Sequence, residues 1–255
     1  CLPDQRRIFN VAIRTIQLDA GKAIYGVGGG ITWDSTWEAE YIETQQKSAV
    51  LYRKNPQFDL VTTGKVEQGS LTFQDQHLKR LREAARYFAY PFDEEKLEAE
   101  LNQSLAELDP STDYRLRISI AKSGKVTCQL EKLQALPETF YKAILVPQNA
   151  NLQQPFTYFK TSYRPHLDLG QQEQIYYNAQ DQLLESSIGN LVLQLDGHLY
   201  TPPVELGLLN GIYRQHLLAT GQATEKILSL DDLKSAEKIY ACNALRGLYE
   251  LEIDN

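Results

Sequence analysis

Lys160 lies in the stretch Phe156-Thr157-Tyr158-Phe159-Lys160-Thr161-Ser162, where aromatic neighbours would partly strip water from an ammonium. Burial destabilises the charged form and lowers an amine from its usual pKa of about 10.4, which frees the nitrogen to act as a nucleophile or Schiff-base former. A solvated surface lysine is the plainer alternative. Glu185-Ser186-Ser187-Ile188-Gly189-Asn190 runs straight into Leu191, Val192 and Leu193. A carboxylate entering a core this way needs a cation or a protonated ring nitrogen, unless the segment is an ordinary strand-end turn. Gly207-Leu208-Leu209-Asn210-Gly211-Ile212-Tyr213-Arg214 reads as a glycine-bearing loop opening a helix. Free amides and the helix dipole favour an anion such as phosphate there, although many helices begin this way with no ligand.

Other candidates carry less. The run Gly26-Val27-Gly28-Gly29-Gly30 invites a dinucleotide reading, but such a fingerprint must open a helix, and Ile31-Thr32-Trp33 intervenes. Glu40 and Glu43 fall at i and i+3 of an expected helix and could share a Mg²⁺, or form a solvated acidic face. His77, His166, His198 and His216 show no metal-binding spacing, and no GxSxG elbow exists for a hydrolase.

The elements that must position these residues follow from periodicity. Phe9, Val11 and Ile13 alternate with Asn10, Ala12 and Arg14, the turn Asp19-Ala20-Gly21 leads to Ile24 and Tyr25, and Asp34 or Ser35 can cap a helix reaching about Arg53. Strands are expected at 58–63 and 71–73. A helix from Asp75 then carries Leu78, Leu81, Ala85 and Phe88 on one face and ends at Pro91. A second helix starts at Asp93 with Leu97, Leu101 and Leu105 in a stripe. Tyr114, Leu116, Ile118 and Ile120 alternate with Arg115, Arg117 and Ser119, and Ser123-Gly124 turns the chain into a partner strand bearing Val126, Cys128 and Leu130. Further strands are expected at 141–147, 174–178, 190–195, 198–201 and 239–243, with a helix at 211–219.

The 255 residues carry a net charge of −7 and no methionine. Without a dense basic stripe, nucleic acid is excluded as a partner. No apolar run reaches the roughly 18 residues of a membrane helix, and the N-terminal CLPDQRR lacks a signal-peptide core, so a soluble cytoplasmic protein is expected. Cys1, Cys128 and Cys242 are odd in number and far apart, which fits neither a disulfide framework nor a zinc site.

Taken in order, five stretches resemble motifs of the fold-type IV pyridoxal-phosphate enzymes, also called class IV aminotransferases. They are His77-Leu78-Lys79-Arg80-Leu81, Phe159-Lys160-Thr161-Ser162-Tyr163-Arg164, Glu185-Ser186-Ser187-Ile188-Gly189-Asn190, Tyr200-Thr201-Pro202-Pro203 with the glycine loop to Ile212, and Cys242-Asn243-Ala244-Leu245-Arg246-Gly247. That family includes branched-chain and D-amino-acid aminotransferases and 4-amino-4-deoxychorismate lyase. Within residues 9–50, FNVAIRT, GVGGGITWDS and EAEYIE resemble the C-terminal end of the chorismate-utilising enzymes, specifically aminodeoxychorismate synthase component I.

The first resemblance implies an α+β, two-domain fold-type IV architecture like that of D-amino-acid aminotransferase, with a β-hairpin/helix appendage. Residues 1–54 would be the chorismate-binding remnant, 55–150 a small α/β domain and 151–255 a larger, barrel-like domain holding pyridoxal 5′-phosphate. Lys160 would bond to the cofactor's aldehyde and serve as the catalytic base, and Glu185 would pair with its ring nitrogen. Arg80, the amides of Gly211, Ile212 and Tyr213, and the loop of Asn243 and Ala244 would grip its phosphate, while Arg117 and Arg164 are the candidates for substrate carboxylates. The second resemblance implies chorismate contact for Arg14 and Mg²⁺ binding for Glu40 and Glu43, but only within a complete synthase domain, so no metal is expected here. Natural fusions of that synthase with a lyase make 4-aminobenzoate, so the company Lys160 keeps favours 4-amino-4-deoxychorismate lyase, a cytoplasmic homodimer, over an aminotransferase or an idle fragment. Two positions depart from the family's fused lyases: Leu167 stands where a tyrosine is usual, and Ala244 where a serine is.

Overall fold

The computed structural model describes residues 15–52, 56–138, 141–148, 155–168, 170 and 172–254. Two compact units divide the chain, 1–56 and 57–255. In the first, β1 (Ile16–Asp19) and β2 (Lys22–Tyr25) form an antiparallel hairpin. Ala20 and Gly21 turn it with φ of 45° and 79°, the left-handed pair that a two-residue hairpin requires. The strand expected over Phe9 to Ile13 lies outside the described residues. The helix α1 (Trp37–Tyr52) buries no residue. Its start is held by Thr36, whose Oγ1 accepts from Ala39 N at 3.4 Å. Neither Asp34 nor Ser35 is the cap, because the Ser35 hydroxyl is engaged with Glu40 Oε1 at 2.7 Å.

The second unit begins with an antiparallel sheet of order β4-β3-β5-β6, made of β3 (Leu60–Glu67), β4 (Ser70–Leu71), β5 (Tyr114–Ile120) and β6 (Val126–Lys132). The helices α2 (Gln74–Phe88) and α3 (Glu94–Leu105) cover one face. Leu78, Leu81, Leu97 and Leu101 pack there on Leu60, Val66, Leu116 and Ile118, each worth about 1.5–3 kcal/mol on burial. Strand alternation sends the intervening side chains, Val61, Thr63, Arg115 and Arg117, to the opposite face. Asp93 caps α3 by accepting from Lys96 N at 3.0 Å.

The second sheet has the order β12-β11-β10-β13-β14-β7-β8-β9, and β9 also pairs with β10. Its strands are β7 (Lys142–Pro147), β8 (Glu173–Tyr177), β9 (Leu183–Ser186), β10 (Asn190–Leu195), β11 (His198–Thr201), β12 (Ala223–Glu225), β13 (Lys238–Asn243) and β14 (Gly247–Ile253). The extra pairing closes β10, β13, β14, β7, β8 and β9 into a ring through one residue pair, Asn190 opposite Glu185. Leu183, Leu191, Leu193, Ala241 and Leu251 fill its core. The helices α4 (Ile212–Ala219) and α5 (Leu230–Ser235) attach to it. Because β7 pairs with β8 and β14, the junction between the two sheets falls ahead of residue 142 and not at 150. Among the described residues, no helix is long and apolar enough to cross a membrane.

The two sheets of this unit are stitched together where Lys160 sits. Val61 N donates to Lys160 O at 3.0 Å and Ser162 N to Asp59 O at 2.9 Å, so residues 160–162 run beside the start of β3.

Candidate active site

The aromatic neighbours of Lys160 do something other than the sequence predicts. Phe156 packs on Phe58 and Phe88, and Phe159 on Tyr87 and Phe88, at centroid distances of 4.6–5.7 Å. They anchor the segment to the end of α2, and none of them lines the pocket that holds the amine. Lys160 Nζ has no hydrogen-bond or ion-pair partner among the described residues. Burial is the first cause that brings its pKa down to about 7, with the Arg164, Arg80 and Arg117 guanidinium charges adding to it against Glu185. The expected depression is present, but pocket walls and cations supply it.

Glu185 is the third residue of β9 and is 2% exposed. Its Oε1 accepts from Leu209 N at 3.4 Å, and Arg164 Nη2 stands 3.6 Å from its Oε2. Burial pushes this carboxyl above the usual range, opposed by Arg164, the Leu209 amide and Lys160. Arg164 Nε and Nη2 are buried without a hydrogen bond. Arg164, expected to take a substrate carboxylate, thus faces Glu185 while also lining the neighbouring cleft.

Opposite them, Gly211 leads into α4 with no side-chain cap, which leaves the first amides of the helix for an anion. A Cβ at 211 would come within 1.9 Å of Asn190 Oδ1, and one at 189 within 2.8 Å of Cys242 O, so both glycines permit backbone approaches closed to any side chain. Asn210 organises this corner. Its carbonyl accepts from Arg80 Nη2 at 2.8 Å and Gln215 Nε2 at 3.1 Å, and its Oδ1 from Arg214 Nη1 at 3.0 Å. Arg214, fully buried, also donates to Pro202 O at 2.8 Å and to Glu225. Arg80 follows His77 by one turn of α2. The His77 ring meets Thr62 Oγ1 at 2.5 Å through Nδ1, and burial lowers its pKa to about 3, so it stays neutral beneath two cations.

Arg80, Lys160, Glu185, Gly211, Ile212, Asn243 and Ala244 therefore line one pocket. The Tyr213 side chain lies elsewhere, 6.0 Å from the Phe73 ring centre, so only its backbone belongs to the helix start. Asn243 turns back on its own loop: Oδ1 accepts from Leu245 N at 3.0 Å and Arg246 N at 2.9 Å, and Nδ2 donates to Ile188 O at 3.2 Å. A half-buried free amine, a buried carboxylate and an uncapped helix start with an adjacent guanidinium form a donor set that fits pyridoxal phosphate.

A cleft of about 430 Å³ adjoins the pocket and shares Lys160 with it. Arg115, Arg117, Arg164 and Arg246 line it, and no aspartate or glutamate does among the described residues. Sequence reasoning missed Arg246, Thr63 and Asn190. Arg246 lay within a recognised motif, but nothing local signals which way it faces. Leu167 sits in a small core with Tyr176 and Leu184. In the first unit Arg14 lies outside the described residues, Glu43 pairs with Lys47 at 2.5 Å, and Glu40 accepts from Ser35. No group of three or more potential metal ligands occurs among the described residues.

An amine poised between a buried carboxylate and an anion-binding helix start, on a barrel-like sheet joined to a smaller α+β layer, is a fold-type IV arrangement. The chain belongs to the class IV amino-transferase family, which matches residues 59–251, and residues 1–53 match the chorismate binding enzymes. The family's members are pyridoxal-phosphate-dependent. A Schizosaccharomyces pombe protein provisionally named an aminodeoxychorismate lyase is 26% identical over 193 residues, 70% of this chain and 82% of that protein. A Mesorhizobium loti structure provisionally described as an amino-acid aminotransferase is 30% identical, with a TM-score of 0.67 over 77% of this chain and 100% of that one. The 4-amino-4-deoxychorismate lyase of Pseudomonas aeruginosa shares the fold at 21% identity, with a TM-score of 0.56 over 76% of this chain and 82% of that one.

Proposed function

We propose that this chain is a 4-amino-4-deoxychorismate lyase that uses pyridoxal 5′-phosphate to release 4-aminobenzoate and pyruvate. The observation that carries the reading is the Lys160 amine, drawn down to about pKa 7 between Glu185 and a cleft lined by arginines. Support comes also from the chorismate-binding match in the same chain and from the name of the S. pombe relative.

Lys160 would hold the cofactor's aldehyde carbon, Glu185 its ring nitrogen, and Arg80 with the amides of Gly211 and Ile212 its phosphate, with Asn243 and Ala244 completing the wall. When bound, the cofactor supplies an electron-accepting ring conjugated with the substrate nitrogen. Once the substrate's amino group has displaced Lys160 from the aldehyde carbon, the freed amine, its pKa lowered first by burial, would take a proton at Nζ from the substrate ring carbon that bears nitrogen. The same Nζ, now charged, returns a proton to the methylene carbon of the departing enolpyruvate, which leaves as pyruvate while the ring becomes aromatic. Glu185, kept dry at the barrel seam, holds positive charge at the ring nitrogen. Arg164 stabilises the Glu185 carboxylate and restrains Lys160 from taking a proton too early.

Incubation with 4-amino-4-deoxychorismate should give 4-aminobenzoate and pyruvate in equal amounts. The second reading, an aminotransferase, is favoured by the 30% identity to the M. loti structure. It predicts glutamate from an amino-donor panel with 2-oxoglutarate instead. Absorbance at roughly 410–420 nm that borohydride abolishes would report the lysine-bound cofactor, and its absence overturns both. As elsewhere in the family, a cytoplasmic homodimer is expected, and light scattering of the purified 29.0 kDa chain tests the assembly.

A further inference from the structure

We infer that Arg214, which lies outside the pocket that holds Lys160, is the positioning residue of the phosphate corner: it fixes Asn210, and the Asn210 carbonyl in turn fixes Arg80. The inference rests on the proposed cofactor and says what keeps its anion grip in place.

Arg214 stands in the first turn of α4, where the helix dipole already places positive charge and disfavours a cation. It is also 1% exposed. A guanidinium withdrawn from water costs free energy that only good hydrogen bonds and an opposite charge offset, and an apolar side chain of similar size often serves stability as well. A local task is needed to account for it, and its bonds show one. Nη1 reaches the Asn210 side chain at 3.0 Å, while Nη2 reaches Pro202 O at 2.8 Å and the Glu225 carboxylate on β12. The loop from Pro202 to Asn210, which joins β11 to α4, is thus tied at both ends to a single planar group. Asn210 itself is exposed, so these bonds rather than packing set its direction. Its carbonyl then accepts from Arg80 Nη2, on the helix α2 of the other sheet, at 2.8 Å. Arg80 lines the pocket and Arg214 does not, yet both hang on the same asparagine. The contacts run from Glu225 through Arg214 and Asn210 to Arg80, and so from an edge strand to the proposed phosphate site.

The test uses the full chain and two probes, pyridoxal 5′-phosphate and 5′-deoxypyridoxal, with dissociation constants from absorbance titration. Both offer Lys160 the same ring and aldehyde, so their ratio reads the phosphate grip alone. The wild type should prefer the phosphorylated aldehyde by about 100-fold or more, as expected of charge-assisted contacts from Arg80 and the helix start. Arg214→Met fills the space without the donors and should cut that ratio by about tenfold while leaving 5′-deoxypyridoxal binding within about twofold. Asn210→Ala should do the same, and the double variant should lose no more than either single one, because the two residues act in series. A ratio unchanged in Arg214→Met overturns the inference. So does an equal loss for both aldehydes, which mere structural damage would give, or additive losses in the double variant. Should Arg214→Met not fold, Asn210→Ala, a change at an exposed position, decides by the same ratio. A wild type that binds neither aldehyde overturns the cofactor reading and this inference together, whereas tight binding without 4-aminobenzoate from 4-amino-4-deoxychorismate overturns only the lyase.

Discussion

Replacing Gly211 by alanine adds one methyl group at a point with no room for it. The new Cβ would stand 1.9 Å from Asn190 Oδ1 and 3.1 Å from its Cγ, so the Asn190 side chain or the loop must move by more than an ångström. Asn190 is 3% exposed, and its Nδ2 donates to Leu209 O at 2.7 Å, a bond that any such movement strains or breaks. Overpacking costs about 1–3 kcal/mol and an unsatisfied buried group a similar amount, so the variant should lose about 2–5 kcal/mol of stability. For a domain this large that lowers Tm by about 5–15 °C. Because the displaced loop also carries the first amides of α4, affinity for pyridoxal phosphate should fall by about tenfold or more. Thermal melting and a cofactor titration measure the two effects. Gly30→Ala is the control, since nothing lies within 4 Å of a Cβ there, and it should change stability by no more than about 0.5 kcal/mol. A Gly211→Ala protein that melts and binds cofactor like the wild type would refute the close approach on which this corner is built.

Lys160→Ala should abolish borohydride-trappable cofactor. In the wild type, the rate of cofactor capture should rise with pH through about 7, because only the uncharged amine reacts. Arg164 lowers that pKa, so Arg164→Gln should move the rise to higher pH, and a rise that stays in place contradicts the assigned cause. Glu185→Gln should lower kcat by about 10²-fold or more while changing cofactor affinity far less, as rate constants and a titration would show. Arg80→Ala removes a charge-assisted phosphate contact and should weaken cofactor binding by about 10–100-fold, and because the Arg80 charge also lowers the Lys160 pKa, the pH midpoint of cofactor capture should move upward as well.

Much of the smaller layer is legible in the sequence because its signals are local. The alternation from Tyr114 to Ile120 predicts β5 residue for residue, the leucine spacing predicts α2, and the helix expected from Asp93 is α3, with Asp93 as its cap. The candidate residues are recognisable by type and motif, and Lys160, Glu185 and the loop into Ile212 line one pocket. What stayed hidden depends on partners distant along the chain. The strand β9 is a run of four buried residues with no alternation, and the ring needs the parallel pairing of β14 with the distant β7, which no local pattern encodes. Arg246 escaped notice because its direction is set by a side-chain turn at Asn243. The aromatic residues around Lys160 were recognised but given the wrong task, since a sequence shows that rings are near an amine and not which way they point.

The barrel is fastened at Asn190 and Glu185 by a single pairing, whereas β10 meets β13 over five residue pairs. This join, whose turn is closed by Ser186 N donating to Gly189 O at 2.9 Å, is also the place that holds the buried acid and supports the glycine loop. A molecule lodged against both would act as a clasp, tying its own retention to the integrity of the cylinder. Protection of the amides around 185–190 from deuterium should then track occupancy more steeply than that of the opposite wall, and loss of the guest would begin as a loosening of the seam.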